Sequence, residues 1–268
     1  MLNTVDLFAF TPAACCDPAI AIAACRTGAR GTLNAEVSPA PDALAAALEQ
    51  LAVHARGSYG VKLAYWDKTF AAVLDQYAER GLGWLIVDPA SLAAARAWRD
   101  KQAPACELVV EVCRWTPDLA GQLGDHAVIA KGHEAGGVMG EETTFILVQT
   151  LLAQHNGPVY ARGGLGPGAA AAVCAAGAAG VVLDDQLLLL AESPFKAALE
   201  PALSRFDGTD TGIIGDTNDR AWRVFEKAGL RHVQEARRET EGCADPAERV
   251  RIVEGRLGWD PETGLLPL

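Results

Sequence analysis

Short runs rich in Val, Ile, Leu and Ala recur along this chain at intervals of roughly 20–30 residues, each closed by a polar or glycine-rich loop. They are Asp6–Phe10, Gly31–Val37, Tyr59–Tyr65, Trp84–Val87, Leu108–Val112, Ala127–Ala130, Pro158–Ala161 and Gly180–Leu183. None alternates cleanly between apolar and polar, which is how strands covered on both faces read. Stretches with helical spacing fall between them, among them Pro18–Arg26, Pro41–Arg56, Thr69–Arg80 and Thr116–Leu123. Pro89 opens a further helix at a position that tolerates proline. Eight strand–helix units in about 200 residues predict a (β/α)8 TIM barrel near the small end of that fold. An open doubly wound sheet is the alternative, but no GxGxxG opens the first helix.

From Pro194 the rhythm changes. Ala197–Arg205 reads as a helix, Asp207–Asp219 as a Gly/Asp/Thr-rich loop, and Arg220–Ala228 and Pro246–Arg256 as two more helices. The chain therefore divides into a barrel over residues 1–193 and a C-terminal helical extension over 194–268, packed on the barrel or lying over its mouth. The apolar ending GLLPL suggests a domain cut from a longer polypeptide.

Composition narrows the class. A net charge of −11 argues against nonspecific partnership with nucleic acid or an anionic membrane. No run approaches the ~20 apolar residues that span a bilayer, and MLNTVDLFAF lacks the basic start of a signal peptide. Seven cysteines, an odd number without CxxC spacing, read as reduced thiols in a cytoplasmic protein and offer no zinc site. There is no GxSxG elbow and no P-loop.

In parallel α/β folds the chemistry collects at the carboxyl ends of the strands. The loops Lys131–Gly140, Arg162–Gly168 and Asp184–Gln186 are thus the candidates. Gly163 and Gly164 would let backbone N–H groups approach an anion, and the helix start beyond them adds positive potential; a ligand-free tight turn has the same look. Asp184 and Asp185 oppose an anion there, since a carboxylate about 4 Å from a phosphate costs roughly 1–4 kcal/mol, depending on exposure. A divalent cation held between them is the other possibility. Lys62, Glu111 and Lys131 stand inside apolar strands, where a lone charge is too costly to bury. Either they face the mouth or they pair, with Lys62–Glu111 the obvious pair. His133, beside Glu134, could act as a general acid or base, or equally as a packing histidine.

Several of these stretches resemble the nitronate monooxygenase family, which includes flavin-dependent enoyl-acyl carrier protein reductases. Glu134–Gly140 is similar to its EAGGHxG loop, Arg162–Leu165 to its AGGI turn, Leu183–Leu187 to its VGTRF segment, Cys25–Leu33 to its SNAGGLGTL and Tyr59–Leu63 to its FGVN strand. The resemblance implies an FMN-binding barrel acting on a nitronate or an enoyl thioester. Its phosphate would lie at Gly163, Gly164 and the backbone of Asp184 and Asp185. Its ring would lie near Phe10, Lys62 and His133, with Lys131, Gly136 and Gly137 as further cofactor-binding residues. His133 and Glu134 would be the catalytic groups. Membership of a polyketide or fatty-acid synthase, with acyl carrier protein or other synthase domains as partners, is the implied setting. Two departures point the other way: Val138 stands where the family has histidine, and Asp184–Asp185 where it has Gly–Thr. They raise a second expectation, a flavin-free barrel serving as a structural or docking domain.

Overall fold

The computed structural model describes residues 5–37, 39–203, 209–215, 220–226, 230–260 and 264–267. Eight parallel strands close into a barrel: β1 (Asp6–Phe10), β2 (Arg30–Ala35), β3 (Tyr59–Leu63), β4 (Leu82–Val87), β5 (Glu107–Val112), β6 (Ala127–Lys131), β8 (Val159–Arg162) and β9 (Gly180–Leu183), with β9 pairing back onto β1. The strand missing from that series, β7 (Gly137–Met139), lies in the loop after β6. The helices α1 (Ala19–Thr27), α2 (Pro41–His54), α3 (Lys68–Asp75), α4 (Leu92–Gln102), α5 (Pro117–Leu123), α6 (Thr144–Gln154) and α7 (Pro167–Ala175) alternate with the strands. All eight strand runs read from the sequence are barrel strands, within two residues at either end.

The pleat sorts the strand residues into two sets. One faces outward and packs against the helices: Leu33, Tyr59, Val61, Leu85, Val110 and Val128 meet Leu44, Leu48 and Leu51 of α2, Leu74 of α3 and their equivalents. Each such apolar side chain removed from water contributes about 1.5–3 kcal/mol. The other set fills the barrel with Phe8, Phe10, Trp84, Ile86, Val109, Ile129, Tyr160 and Val182. Gly60 belongs to this inward set, because any Cβ there would lie 1.8 Å from the Trp84 indole nitrogen. At the amino-terminal end Arg30 lies over the rings of Phe8 and Trp84, at 4.3 and 4.6 Å, and pairs with Glu107. At the carboxyl end the same inward parity delivers Lys62, Glu111, Lys131, Arg162 and Asp184.

Beyond the barrel the predicted helical extension needs correction. It contains α8 (Lys196–Leu203), α9 (Arg231–Gly242) and α10 (Pro246–Glu254), but also two strands, β10 (Thr211–Gly215) and β11 (Ala221–Phe225). The stretch expected to be the helix Arg220–Ala228 is β11, and part of the expected loop 207–219 is β10; 204–208, 216–219 and 227–229 lie outside the described residues. Pairing overrides the local helical signal. β11 is hydrogen-bonded antiparallel to β10 on one side and β7 on the other, its Trp222 and Val224 facing a cluster with Ile214, Val233 and Leu265. Residues 264–267 return to this sheet: the Phe225 N–H donates to Leu266 O at 2.8 Å, and Trp259 donates to Ala13 O. Among the described residues no helix is long and apolar enough to cross a membrane.

Candidate functional site

Three cations and three carboxylates meet at the barrel mouth. Lys62 Nζ lies 2.6 Å from Glu36 Oε2 and 2.8 Å from Glu111 Oε1. Lys131 Nζ donates to both Glu36 oxygens, at 2.9 and 3.3 Å. Arg162 bridges the other side, Nη1 to Glu111 Oε2 and Nε to Asp184 Oδ2, both at 2.7 Å. All six are buried, Lys131 fully. Arg162 also lies 5.0 Å above the Phe10 ring, so Phe10 is the hydrophobic floor of the lattice.

The energetics follow from burial and mutual pairing. Burial alone would raise the Glu36 carboxyl, but Lys131, Lys62 and Arg162 outweigh it and hold the group well below the usual range. Glu111 is likewise held low against burial, by Arg162, Lys62 and Lys131. Burial lowers Lys62, and Glu111 and Glu36 offset only part of that. Such lattices are stabilising only while every member is matched. Asp185 is the exception: burial and the neighbouring Asp184 push its carboxyl well above the ordinary range despite Arg162 and Lys131. Part of its surface stays open, yet its Oδ2 abuts Gly136, where a Cβ would lie 2.8 Å from it.

The predicted site residues occupy three places. Lys62, Lys131, Asp184 and Asp185 are in or beside the lattice, with Glu111 completing the expected Lys62–Glu111 pair. Gly137, in the left-handed region at φ 76°, lets the chain pass Glu36 and Lys131. Gly163 and Gly164 also have positive φ, 115° and 62°, but turn against the preceding loop: a Cβ on Gly163 would meet Ala135 N and Thr144 Oγ1 at 2.8 Å. His133 and Glu134 do not line the open space at the mouth. The Arg223 guanidinium sits 2.9 Å from His133 Nε2 and binds its carbonyl at 2.7 Å. The Glu134 carboxylate accepts from the Thr144 N–H and hydroxyl, both at 2.8 Å, and so caps α6. Replacing Glu134 with Ala is expected to lower stability by about 1 kcal/mol, read as a Tm drop of about 2–4 °C.

Glu36 was invisible to sequence reasoning, because one acid after a strand carries no motif. Its signal was positional: it continues the inward parity of β2, Arg30, Thr32 and Asn34. Asn34 Oδ1 accepts from the Glu36 N–H and fixes the turn. Val138 lies in β7 opposite Trp222 and lines open space at the mouth. That space is two adjoining cavities of about 210 and 300 Å³, sharing Asp88, Glu111, Cys113, Val138 and Arg220.

A flavin mononucleotide does not fit these residues as they stand. Neither cavity is lined by Gly163, Gly164, Asp184 or Asp185. The cup is internally engaged. The Asp184 N–H donates to Gln186 Oε1, and the Asp185 N–H donates to Asp184 Oδ1. The Gly136 turn after β6 is covered as well, since a Cβ on Gly136 would strike Pro267 O at 2.3 Å. Lys62, Lys131 and Arg162 already face carboxylates. A cation held between the two aspartates has no support either: Asp184 is taken by Arg162, and among the described residues no cluster suits a metal ion.

The family model of nitronate monooxygenase matches residues 116–253. In structure the chain is similar to FabK from Thermotoga maritima, with a TM-score of 0.78 at 21% identity over 98% of this chain and 85% of that one. A point mutant of that FabK gives 0.71 at 23% identity, over 100% of this chain and 86% of the other. A putative phosphonomutase from Burkholderia cenocepacia gives 0.53 at 14%, over 75% and 95%. At these identities the structural likenesses speak for the barrel fold alone. No curated protein matches the chain in sequence.

Proposed function

This chain belongs to the nitronate monooxygenase family, and we propose that it is a flavin-free member, a barrel serving as a structural or docking module of a larger synthase. One observation carries the reading: the elements that would hold a phosphate are tied to one another. Arg162 is bound to Asp184, Asp185 is packed on Gly136, and the Asp184 and Asp185 amides are bound within their own loop. A phosphate that drew Arg162 away from Asp184 would have to break a buried ion pair, at about 3–5 kcal/mol. The test is the visible spectrum of the purified chain during titration with FMN. Colourless protein with no flavin retained at about 1 mM FMN is the expected result, which bounds any residual affinity as weaker than about −4 kcal/mol.

The second reading is an FMN-dependent oxidoreductase of nitronate monooxygenase or enoyl reductase type, acting on a nitronate or acyl thioester. The family match and the Lys62 ammonium at the mouth favour it. It requires Asp184, Asp185 and residues 264–267 to leave their present positions. Yellow protein with stoichiometric flavin would select it over the first. Acyl carrier protein and neighbouring synthase domains are the partners expected of either.

A further inference from the structure

Charge is spread unevenly around the outside of the ring. From Thr143 to Leu183 the chain holds one charged residue, Arg162, and that one is buried in the lattice. At the 21% charged content of the whole chain, the stretch would hold about nine. It supplies α6 and α7, which carry no charge at all. Every other described helix carries at least one charged side chain. The two helices are neighbours: a Cβ on Gly177, just past α7, would meet Leu152 of α6 at 3.8 Å.

Large apolar side chains stand open at the same place. Phe145 and Ile146, in the first turn of α6, are 46% and 54% exposed. Thr144 fastens that turn to the loop after β8, its hydroxyl donating to Gly163 O at 3.0 Å. On the other side of this loop Gln186 Nε2 donates to Leu165 O at 3.3 Å, and the turn that carries Gln186 runs on into Leu189 and Leu190, 41% and 43% exposed. The four side chains therefore flank the loop that leads into α7. They are four of the seven exposed large hydrophobics among the described residues. Between them α7 is apolar all round and buries only Val173. A helix without a polar face normally lies inside a protein, so this one is short of cover.

Charge also decides what can cover it. The chain carries a net −11, so two copies repel through most of their surface. The α6–α7 face is where they can approach without setting acid against acid. A two-fold contact lays one patch on its own copy, so a charge near the axis would meet its like. Two neighbouring helices without charge are what such a contact needs. A partner of another kind is ordinarily steered and selected by complementary charges, and this face offers none. Its size is in range. Helices of 11 and 9 residues are about 16 and 13 Å long and pack about 10 Å apart, and with the leucine turn the face approaches the ~500 Å² per copy of a small specific interface.

We propose that the α6–α7 face and the Leu189–Leu190 turn form the contact of a two-fold dimer of this chain. The face lies on the outside of the ring, so the dimer is independent of whether the mouth holds a flavin. Sedimentation velocity of the full chain between about 1 and 200 µM tests it. The expected result is a reversible monomer–dimer equilibrium with a Kd on the order of 10 µM. It should tighten severalfold between about 50 and 500 mM NaCl, because salt screens the repulsion of two acidic bodies. Ile146→Asp and Leu190→Asp should each weaken the dimer at least about tenfold, since each sets like charges against one another in the contact. Val53→Asp, at an exposed apolar position of α2 outside the face, should leave the dimer unchanged. All three positions are exposed, so the variants should melt with the parent. A chain that stays monomeric at about 200 µM would overturn the proposal and leave the face to a partner of another kind. So would a dimer that both face variants leave intact. A dimer that salt dissociates would overturn it as well, because its contacts would then be ionic.

Discussion

Glu36→Gln is expected to destabilise the chain by about 3–5 kcal/mol, the usual effect of removing one partner from a buried ion pair. For a domain of this size that is a Tm loss of about 10 °C. The effect is large because Glu36 is the common partner of two ammonium groups. Among the described residues Lys131 has no carboxylate other than Glu36 closer than 3.9 Å, and Lys62 would be left with Glu111. The double variant Glu36→Gln/Lys131→Met separates charge imbalance from lost packing. It leaves Lys62 and Arg162 matched to Glu111 and Asp184 and should recover part of the loss. Thermal melts of the two variants and the parent decide the matter. A single variant within about 1 kcal/mol of the parent would mean that water or rearrangement replaces the carboxylate, and the lattice would not be what holds the mouth shut.

Asp185→Asn should act in the opposite direction and only at higher pH. The folded-state carboxyl titrates well above its unfolded value, through burial and then Asp184. Its contribution to stability is therefore fully present below the unfolded pKa of about 3.9 and is lost as pH rises through the folded value. Asparagine keeps the shape and has no proton to lose. The Tm advantage of the variant should be near zero at or below about pH 4 and grow to several degrees as pH rises from there toward the folded value. Glu36 and Glu111 have the reverse sign. Their folded values lie below the unfolded ones, so their contribution is present above about pH 4.3 and lost as pH falls through the folded values. A variant whose advantage is constant with pH, or greatest in acid, would show that Asp185 is not held neutral.

The barrel was legible because its strands are buried on both faces, and buried strands carry one kind of signal. The same feature hid the lattice. Lys62, Glu111 and Lys131 interrupt apolar runs and announced themselves as charges in need of partners, and the Lys62–Glu111 pairing could be read from them. Glu36 is a single acid just past a strand end, and its pairing depends on how the ring closes, which no local pattern encodes. The tail misled for a related reason. Ala221–Phe225 reads as helix in isolation and becomes a strand because β7 and β10 offer hydrogen bonds on both sides. His133 and Glu134 were legible as residues but their partners were not, since Arg223 and the start of α6 reach them from outside their own segment.

The three-stranded sheet has a consequence for how such a barrel is inherited. One of its strands comes from a loop between the sixth and seventh barrel strands, and two come from beyond residue 193. A gene fragment stopping near that point would carry Gly137–Met139 with its hydrogen-bonding edge bare and the Trp222 and Ile214 half of its hydrophobic cover gone. The ring and its C-terminal extension therefore form one unit of descent, and recombination that parted them would leave a surface prone to self-association.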